Sequence, residues 1–236
     1  MPKSHHFALI GKPVEQSRSP AIQSKALRWA GLEGSYVAIE GDTDSLKDAV
    51  DDLRSGDLDG LNVTMPLKTA AFEICDVMTF EAERSQSVNS MRLRHGLIEG
   101  HSTDVIAFSQ ILHRDSLRDF SSLLVLGAGG SARSALVVAD DWNTYLSSRD
   151  SDKATALAEN VDDVSVVTWE AAVAGAIVIN ATPLGMGFEQ LSGLVLDVAG
   201  ALIDLPYGEQ PTDAVIRARD LGIPVVDGIE FLVTQA

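Results

Sequence analysis

The first hundred residues alternate short apolar runs with stretches whose apolar positions recur every three or four residues. "HFALIG" reads as a strand closing on Gly11, and "SPAIQSKALRWAGL" as a helix with Ser19 at its N-cap and Pro20 in its first turn. "GSYVAIE" is a second strand. "DTDSLKDAVDDLRSGDL" carries acids in its first turn and apolar residues at helical spacing. "GLNVTM" is a third strand, stopped by Pro66. "AAFEICDVM" is a further helical piece, and "SVNSMRLRHGLIEGHSTD" predicts a hairpin turning at His95 and Gly96. Strands separated by helices predict a parallel or mostly parallel sheet.

A second series starts beyond a boundary between Asp104 and Asp115. "SSLLVLGAGGSARSALVVAD" reads as strand, glycine turn and helix. "NTYLSSRD", "VSVVT" and "AIVINAT" read as strands, "KATALAENV" and "WEAAVAG" as helices, and "LVLDV", "ALIDL" and "IPVVDGI" as further apolar runs. This succession predicts a doubly wound, Rossmann-type dinucleotide-binding domain. The fold class is therefore α/β with two domains.

Charge narrows the partners. Among 236 residues, 34 are acidic and 18 are Lys or Arg, for a formal net charge of -16. Such a field repels nucleic acid and anionic lipid, so neither is expected as a partner. A single cysteine, Cys75, excludes an intrachain disulfide and fits a reducing compartment. No apolar stretch approaches the roughly 20 residues that span a bilayer, and the start is too weakly apolar for a signal peptide. A cytoplasmic protein is expected.

The candidate chemistry gathers at strand ends. In "LLVLGAGGSARSAL" a buried strand runs into Gly127, Ala128, Gly129 and Gly130, then Ser131 and Ala132 open a helix. Glycines there permit a tight turn and let backbone N–H groups approach a pyrophosphate. The next strand ends in Ser148 and Arg149. Arg149 and Lys153 form a candidate basic clamp for a 2′-phosphate, whereas Asp150 suits free ribose hydroxyls. Two cations against one acid favour NADP, with NAD as the alternative. Asn180 and Thr182 end another strand, where ligands of such sheets bind. In the first half, Ser17 and Ser19 precede a helix and suit a carboxylate. Lys68 follows a strand and a proline. It is either an exposed lysine or a catalytic one.

These segments together resemble the shikimate dehydrogenase family, over nearly the whole length. They are "GKPVEQSRSP", "NVTMPLK", "VNS", "STD", "GAGGSAR", "NATPLGM" and "DGIEFLVTQ", in family order and at family-like spacing. The resemblance implies NADP-dependent, reversible reduction of 3-dehydroshikimate to shikimate, in aromatic amino acid biosynthesis. It implies a substrate-binding domain over 1–104, rejoined by about 228–236, and a Rossmann-type NADP-binding domain over 105–227. Lys68 and Asp104 match the catalytic pair. Ser17 and Ser19 match the serines that hold the substrate carboxylate, and Thr64, Asn89, Asp104, Tyr207 and Gln235 match further substrate contacts. Leu205 and Gly228 fall where the family lines the nicotinamide pocket. No metal is implied, and a monomer or homodimer is expected. The chain departs from the family at Gln16, at Gln23 and Ser24, and at Ser102. The family continues into a terminal helix where this sequence stops at Ala236. Other readings are a quinate or aminoshikimate dehydrogenase using NAD or NADP, a relative that binds ligand without turnover, and a folate-type dehydrogenase. The last leaves the two serines unexplained.

Overall fold

Residues 4–236 are described by a computed structural model, and they fall into two units. One comprises the residues up to Thr103 together with Ala236; the other is Asp104–Gln235.

The first unit runs β1 (His5–Gly11), α1 (Ser19–Trp29), β2 (Gly34–Glu40), α2 (Thr43–Ser55), β3 (Gly60–Val63), α3 (Lys68–Ile74), β4 (Val77–Met78), α4 (Phe80–Ser85), β5 (Ser90–Arg94) and β6 (Leu97–His101). Its sheet has the order β2-β1-β3-β5-β6-β4. β1 pairs in parallel with both β2 and β3, while β3–β5 and β5–β6 are antiparallel. The β5–β6 hairpin turns at His95 (φ 53°) and Gly96 (φ 80°). Two successive positive φ values are what a two-residue hairpin loop requires to match strand twist. Helix α2 buries Leu46, Ala49, Val50 and Leu53, the i, i+3, i+4, i+7 stripe expected of a helix lying on a sheet. Asp42 accepts from the N–H groups of Asp44 and Ser45 to cap it, and Gly56 (φ 85°) ends it. The core joins this stripe to Ala8, Ile10, Leu61, Val63, Leu67, Met91 and Ile98.

Two local expectations change here. Helix α1 begins one residue earlier than expected: Arg18 holds the cap position, Ser19 and Pro20 are already helical, and no side chain caps the helix. The Ser19 N–H instead bonds Ser17 Oγ at 3.3 Å. "AAFEICDVM" divides into the end of α3 and strand β4, because the backbone extends at Cys75 (ψ 140°) and β4 then pairs with β6.

The second unit takes in all but the first residue of α5 (Thr103–Leu112). It continues through β7 (Ser122–Leu126), α6 (Gly130–Leu136), β8 (Asn143–Ser147), α7 (Ser151–Ala158), β9 (Val164–Val167) and β10 (Ile177–Asn180). Then follow α8 (Gly193–Leu196), β11 (Ala201–Asp204), α9 (Asp213–Asp220), β12 (Val225–Val226) and α10 (Gly228–Gln235). The sheet order is β12-β11-β10-β7-β8-β9, parallel throughout. The chain leaves β7 in one direction and returns beside it as β10, so the strand order reverses between them. Alternate residues of β7 enter different cores: Leu123 and Val125 pack with Phe108, Ile111 and Phe231, while Leu124 and Leu126 pack with Val178, Val195 and Val215. A parallel sheet covered on both faces needs such an unbroken apolar strand.

Three expectations differ in this unit. "WEAAVAG" is not helical; Glu170 takes a positive φ of 53°, its N–H donates to Ser147 Oγ, and its carboxylate accepts from Ser192 N–H. "LVLDV" lies mostly in the short helix α8 rather than a strand, with Ser192 capping it. Residues 228–235 stay with the second unit instead of rejoining the first. Phe231 packs on Phe108 with ring centroids 4.6 Å apart, and Arg114 pairs with Glu230. Among the described residues, no helix is long and apolar enough to cross a membrane.

Candidate functional site

In the first unit, the ends of β1 and β3 lie side by side because the strands are parallel neighbours. Gly11 makes their continuations meet closely. A Cβ there would come within 2.3 Å of Thr64 Cγ2 and 2.7 Å of the Met65 carbonyl oxygen. Thr64 N–H bonds the Ile10 carbonyl and Lys12 N–H bonds the Met65 carbonyl, so the Thr64 loop is anchored against the loop that leads to Ser17. Both loops contain a cis proline, Pro13 and Pro66. The chain then turns from Thr64 to Leu67, whose buried side chain enters the core, and Lys68 opens α3. The Lys68 carbonyl accepts from Val88 N–H at 3.0 Å, which ties Lys68 to the segment carrying Asn89.

Asn89 is buried, and both ends of its side-chain amide are bonded. Its Oδ1 accepts from Thr103 N–H at 2.8 Å, its Nδ2 donates to Thr103 Oγ1 at 2.9 Å, and its own carbonyl accepts from Val63 N–H and Asn62 Nδ2. What Asn89 controls is thus the first residue of α5, with Asp104 next in line. Asp104 is almost completely buried. Within the second unit, Ser131 Oγ stands 3.4 Å from Asp104 Oδ2.

The glycine turn follows β7 as expected. Gly127 takes φ 113°, its N–H bonds the Ser147 carbonyl, and a Cβ would approach the Ala181 carbonyl oxygen to 2.9 Å. Both conditions favour glycine. Gly129 precedes α6 in an extended conformation, and space is open around its Cβ position. Ala132 is buried in the sheet-facing core, which explains why a small residue serves there.

Beside this turn lies a pocket of about 230 Å³, lined by Gly127, Ser148, Arg149, Trp169, Thr182, Pro183, Leu184 and Glu189. The Arg149 guanidinium sits 5.4 Å from the Trp169 ring centroid, and its Nη2 lies 2.6 Å from Glu189 Oε2. Lys153 points to Asp150, with Nζ and Oδ2 3.1 Å apart. Asp150 also caps α7, and the backbone N–H of Lys153, followed by its ammonium, holds the Asp150 carboxyl below the usual range. Both cations of the expected clamp therefore already face carboxylates. Trp169 and Glu189 were absent from the sequence-derived site. Nothing local marks them; only the fold brings them to Arg149.

Asn180 is completely buried. Its Nδ2 donates to the Leu184 carbonyl and, at 2.7 Å, to Asp204 Oδ1, while its Oδ1 accepts from the N–H and hydroxyl of Thr182. Asn180 thus acts on the pocket by shaping the loop that presents Thr182 and Leu184. Asp204 also accepts from the Thr212 hydroxyl, which caps α9. Burial pushes the Asp204 carboxyl up to about 6. Leu205 and Gly228 come together: a Cβ at Gly228 would lie 2.4 Å from the Leu205 carbonyl oxygen. Tyr207 follows in the loop after β11, half-buried, and Gln235 is the last residue of α10. Among the described residues, no group of three or more His, Cys, Asp and Glu side chains is placed to hold a metal ion.

Residues 9–91 match the family model described as the shikimate dehydrogenase substrate binding domain. The NADP(+) shikimate dehydrogenase of Gluconobacter oxydans (strain 621H) is 32% identical over 97% of this chain and 86% of its own length. A crystal structure of a shikimate dehydrogenase in complex with NADP+ superposes with a TM-score of 0.88 at 27% identity, over 100% of this chain and 88% of that one. Shikimate 5-dehydrogenase from Thermus thermophilus, in complex with NADP(H) and shikimate, gives a TM-score of 0.86 at 32% identity, over 98% and 90% of the two chains. With similarity extending through both units, the chain belongs to the shikimate dehydrogenase family.

Proposed function

We propose that the protein catalyses the NADP-dependent, reversible reduction of 3-dehydroshikimate to shikimate. The observation that carries this reading is the Gly127–Gly130 turn at the end of β7, with the Arg149 pocket next to it, in a chain that also bears Lys68 and Asp104. The pocket fits a dinucleotide. It offers an open glycine turn, an aromatic wall in Trp169 and a cation in Arg149. Gly127, Ala128, Gly129, Gly130, Ser131 and Ala132 would hold the pyrophosphate, and Ser148, Arg149 and Lys153 the adenosine ribose and its phosphate. Thr182, placed by Asn180, would complete the pocket, with Leu205 and Gly228 at the nicotinamide. Bound there, the reduced cofactor NADPH would supply the hydride for the forward reaction, and NADP+ would accept it in reverse.

The protein's own residues manage the charge that hydride transfer creates. A ketone that gains hydride becomes an alkoxide and needs a proton. The Lys68 ammonium stabilises that developing charge and donates the proton; in the reverse direction the neutral amine takes it back. Asp104 orients the ammonium and accepts a hydrogen bond from a substrate hydroxyl. Ser17 Oγ uses a lone pair on the Ser19 N–H and keeps its own O–H to donate to a carboxylate. Thr64 and Asn89 hold ring hydroxyls, Asn89 also fixing the start of α5, and Tyr207 and Gln235 complete the substrate set. Comparing specificity constants for shikimate and quinate tests the substrate: shikimate should be strongly preferred, and equal or better use of quinate would reject it.

A further inference from the structure

We infer that Glu189 is a specificity-determining residue of the dinucleotide pocket, competing with a 2′-phosphate for the Arg149 guanidinium. The inference rests on the NADP reading above and refines it. Arg149 is the cation that lines the pocket, and Glu189 lines the same pocket. The Nη2–Oε2 separation of 2.6 Å is that of a charge-assisted hydrogen bond. One feature on each side positions the pair. Gly185 takes φ 98°, and its N–H bonds the Glu189 carbonyl at 2.8 Å, folding the segment back on itself. The guanidinium rests against the Trp169 ring, 5.4 Å from its centroid.

The pair is a poor stability device, since both side chains are more than half exposed, at 55% and 70%. Its consequence is for ligands. A phosphate that takes Arg149 must share the guanidinium with Glu189 or displace it, and in either case it stays near that negative charge. Lys153 gives limited relief, because Asp150 already neutralises it at 3.1 Å. Two cations and two carboxylates thus form an electrically balanced set around the position that distinguishes the phosphorylated from the unphosphorylated dinucleotide. A dinucleotide with free ribose hydroxyls meets no such competition.

The test is calorimetric binding of 2′,5′-ADP, 5′-AMP, NADPH and NADH to the unmodified protein, Glu189→Gln and Glu189→Ala, at fixed ionic strength. Removing the charge should tighten 2′,5′-ADP and NADPH by about threefold or more, the scale of one exposed ion pair, and leave 5′-AMP and NADH unchanged. In an Arg149→Ala background the same change should have a much smaller effect, because the contested cation is gone. If both variants bind the phosphorylated ligands as the unmodified protein does, Glu189 has no such role. An equal change for phosphorylated and unphosphorylated ligands would also overturn it. Unmodified protein that binds none of the four ligands would remove the dinucleotide reading itself, and the inference with it.

Discussion

Asn89 grips Thr103 on two atoms, its Oδ1 taking the backbone N–H at 2.8 Å and its Nδ2 reaching the hydroxyl at 2.9 Å. The next residue is Asp104. An amide buried on the hairpin strand side of the first unit therefore sets where the helix bearing the proposed catalytic carboxylate begins. Asn89→Ala strips the part-buried Thr103 N–H of its acceptor, which costs on the order of 1 kcal/mol. We expect a lower denaturation midpoint and a reduced kcat together. An unchanged midpoint measured by urea denaturation would show that the Thr103 bonds carry no weight.

The Ser17 and Ser19 hydroxyls are proposed to hold the substrate carboxylate, remote from the reacting carbon. Removing both should raise KM far more than it lowers kcat. A steady-state titration with shikimate decides this. A double alanine variant with unchanged KM would place the anion elsewhere.

Arg149 meets both the Trp169 ring and the Glu189 carboxylate. Arg149→Ala should weaken NADPH by about tenfold, in the range expected for a charged hydrogen-bonded contact, and leave NADH nearly unchanged. Fluorescence titration with each cofactor measures it. Equal losses for both would show that Arg149 does not recognise the 2′-phosphate.

Burial raises the Asp204 carboxyl from 3.8 to about 6, bonds from Thr212 and Asn180 oppose the shift, and nearby Asp227 adds to it. The folded protein therefore holds this proton more tightly than the unfolded chain. Asp204 contributes stability at pH below its unfolded value, and that contribution is lost as pH rises through about 6. Carboxylates held low, such as Asp76 and Glu99, run the other way at lower pH. The informative quantity is thus the difference between the unmodified protein and Asp204→Asn. Relative to Asp204→Asn, the unmodified protein should lose on the order of 2 kcal/mol as pH rises from about 4 to about 7. A pH-independent difference would mean that Asp204 does not titrate in this window.

Much of the fold was legible because it rests on local patterns. The unbroken apolar run of β7 marks a strand buried on both faces, and His95–Gly96 marks a two-residue hairpin turn. The glycine turn after β7, with its positive φ at Gly127, was equally plain. The losses have a common cause, which is that distant contacts decided them. "WEAAVAG" has helical composition, but Glu170 bonds Ser147 and Ser192 instead of its own turn. The final helix follows Phe108, a partner more than a hundred residues away. Glu189 is forty residues from Arg149 in sequence and meets it only because the loop after β10 returns beside the end of β8. A charge count over Arg149, Asp150 and Lys153 therefore undercounted the acids at that pocket by one.

The proposed mechanism depends most on Lys68 giving the alkoxide its proton. The direct test is the steady-state rate of NADPH consumption with 3-dehydroshikimate, for the unmodified protein and Lys68→Ala, with shikimate binding measured separately. We expect robust turnover by the unmodified protein, a kcat lower by about 10²–10⁴-fold in the variant, and little change in shikimate affinity. Near-normal turnover by Lys68→Ala, or no NADPH-dependent turnover by the unmodified protein, would contradict the account.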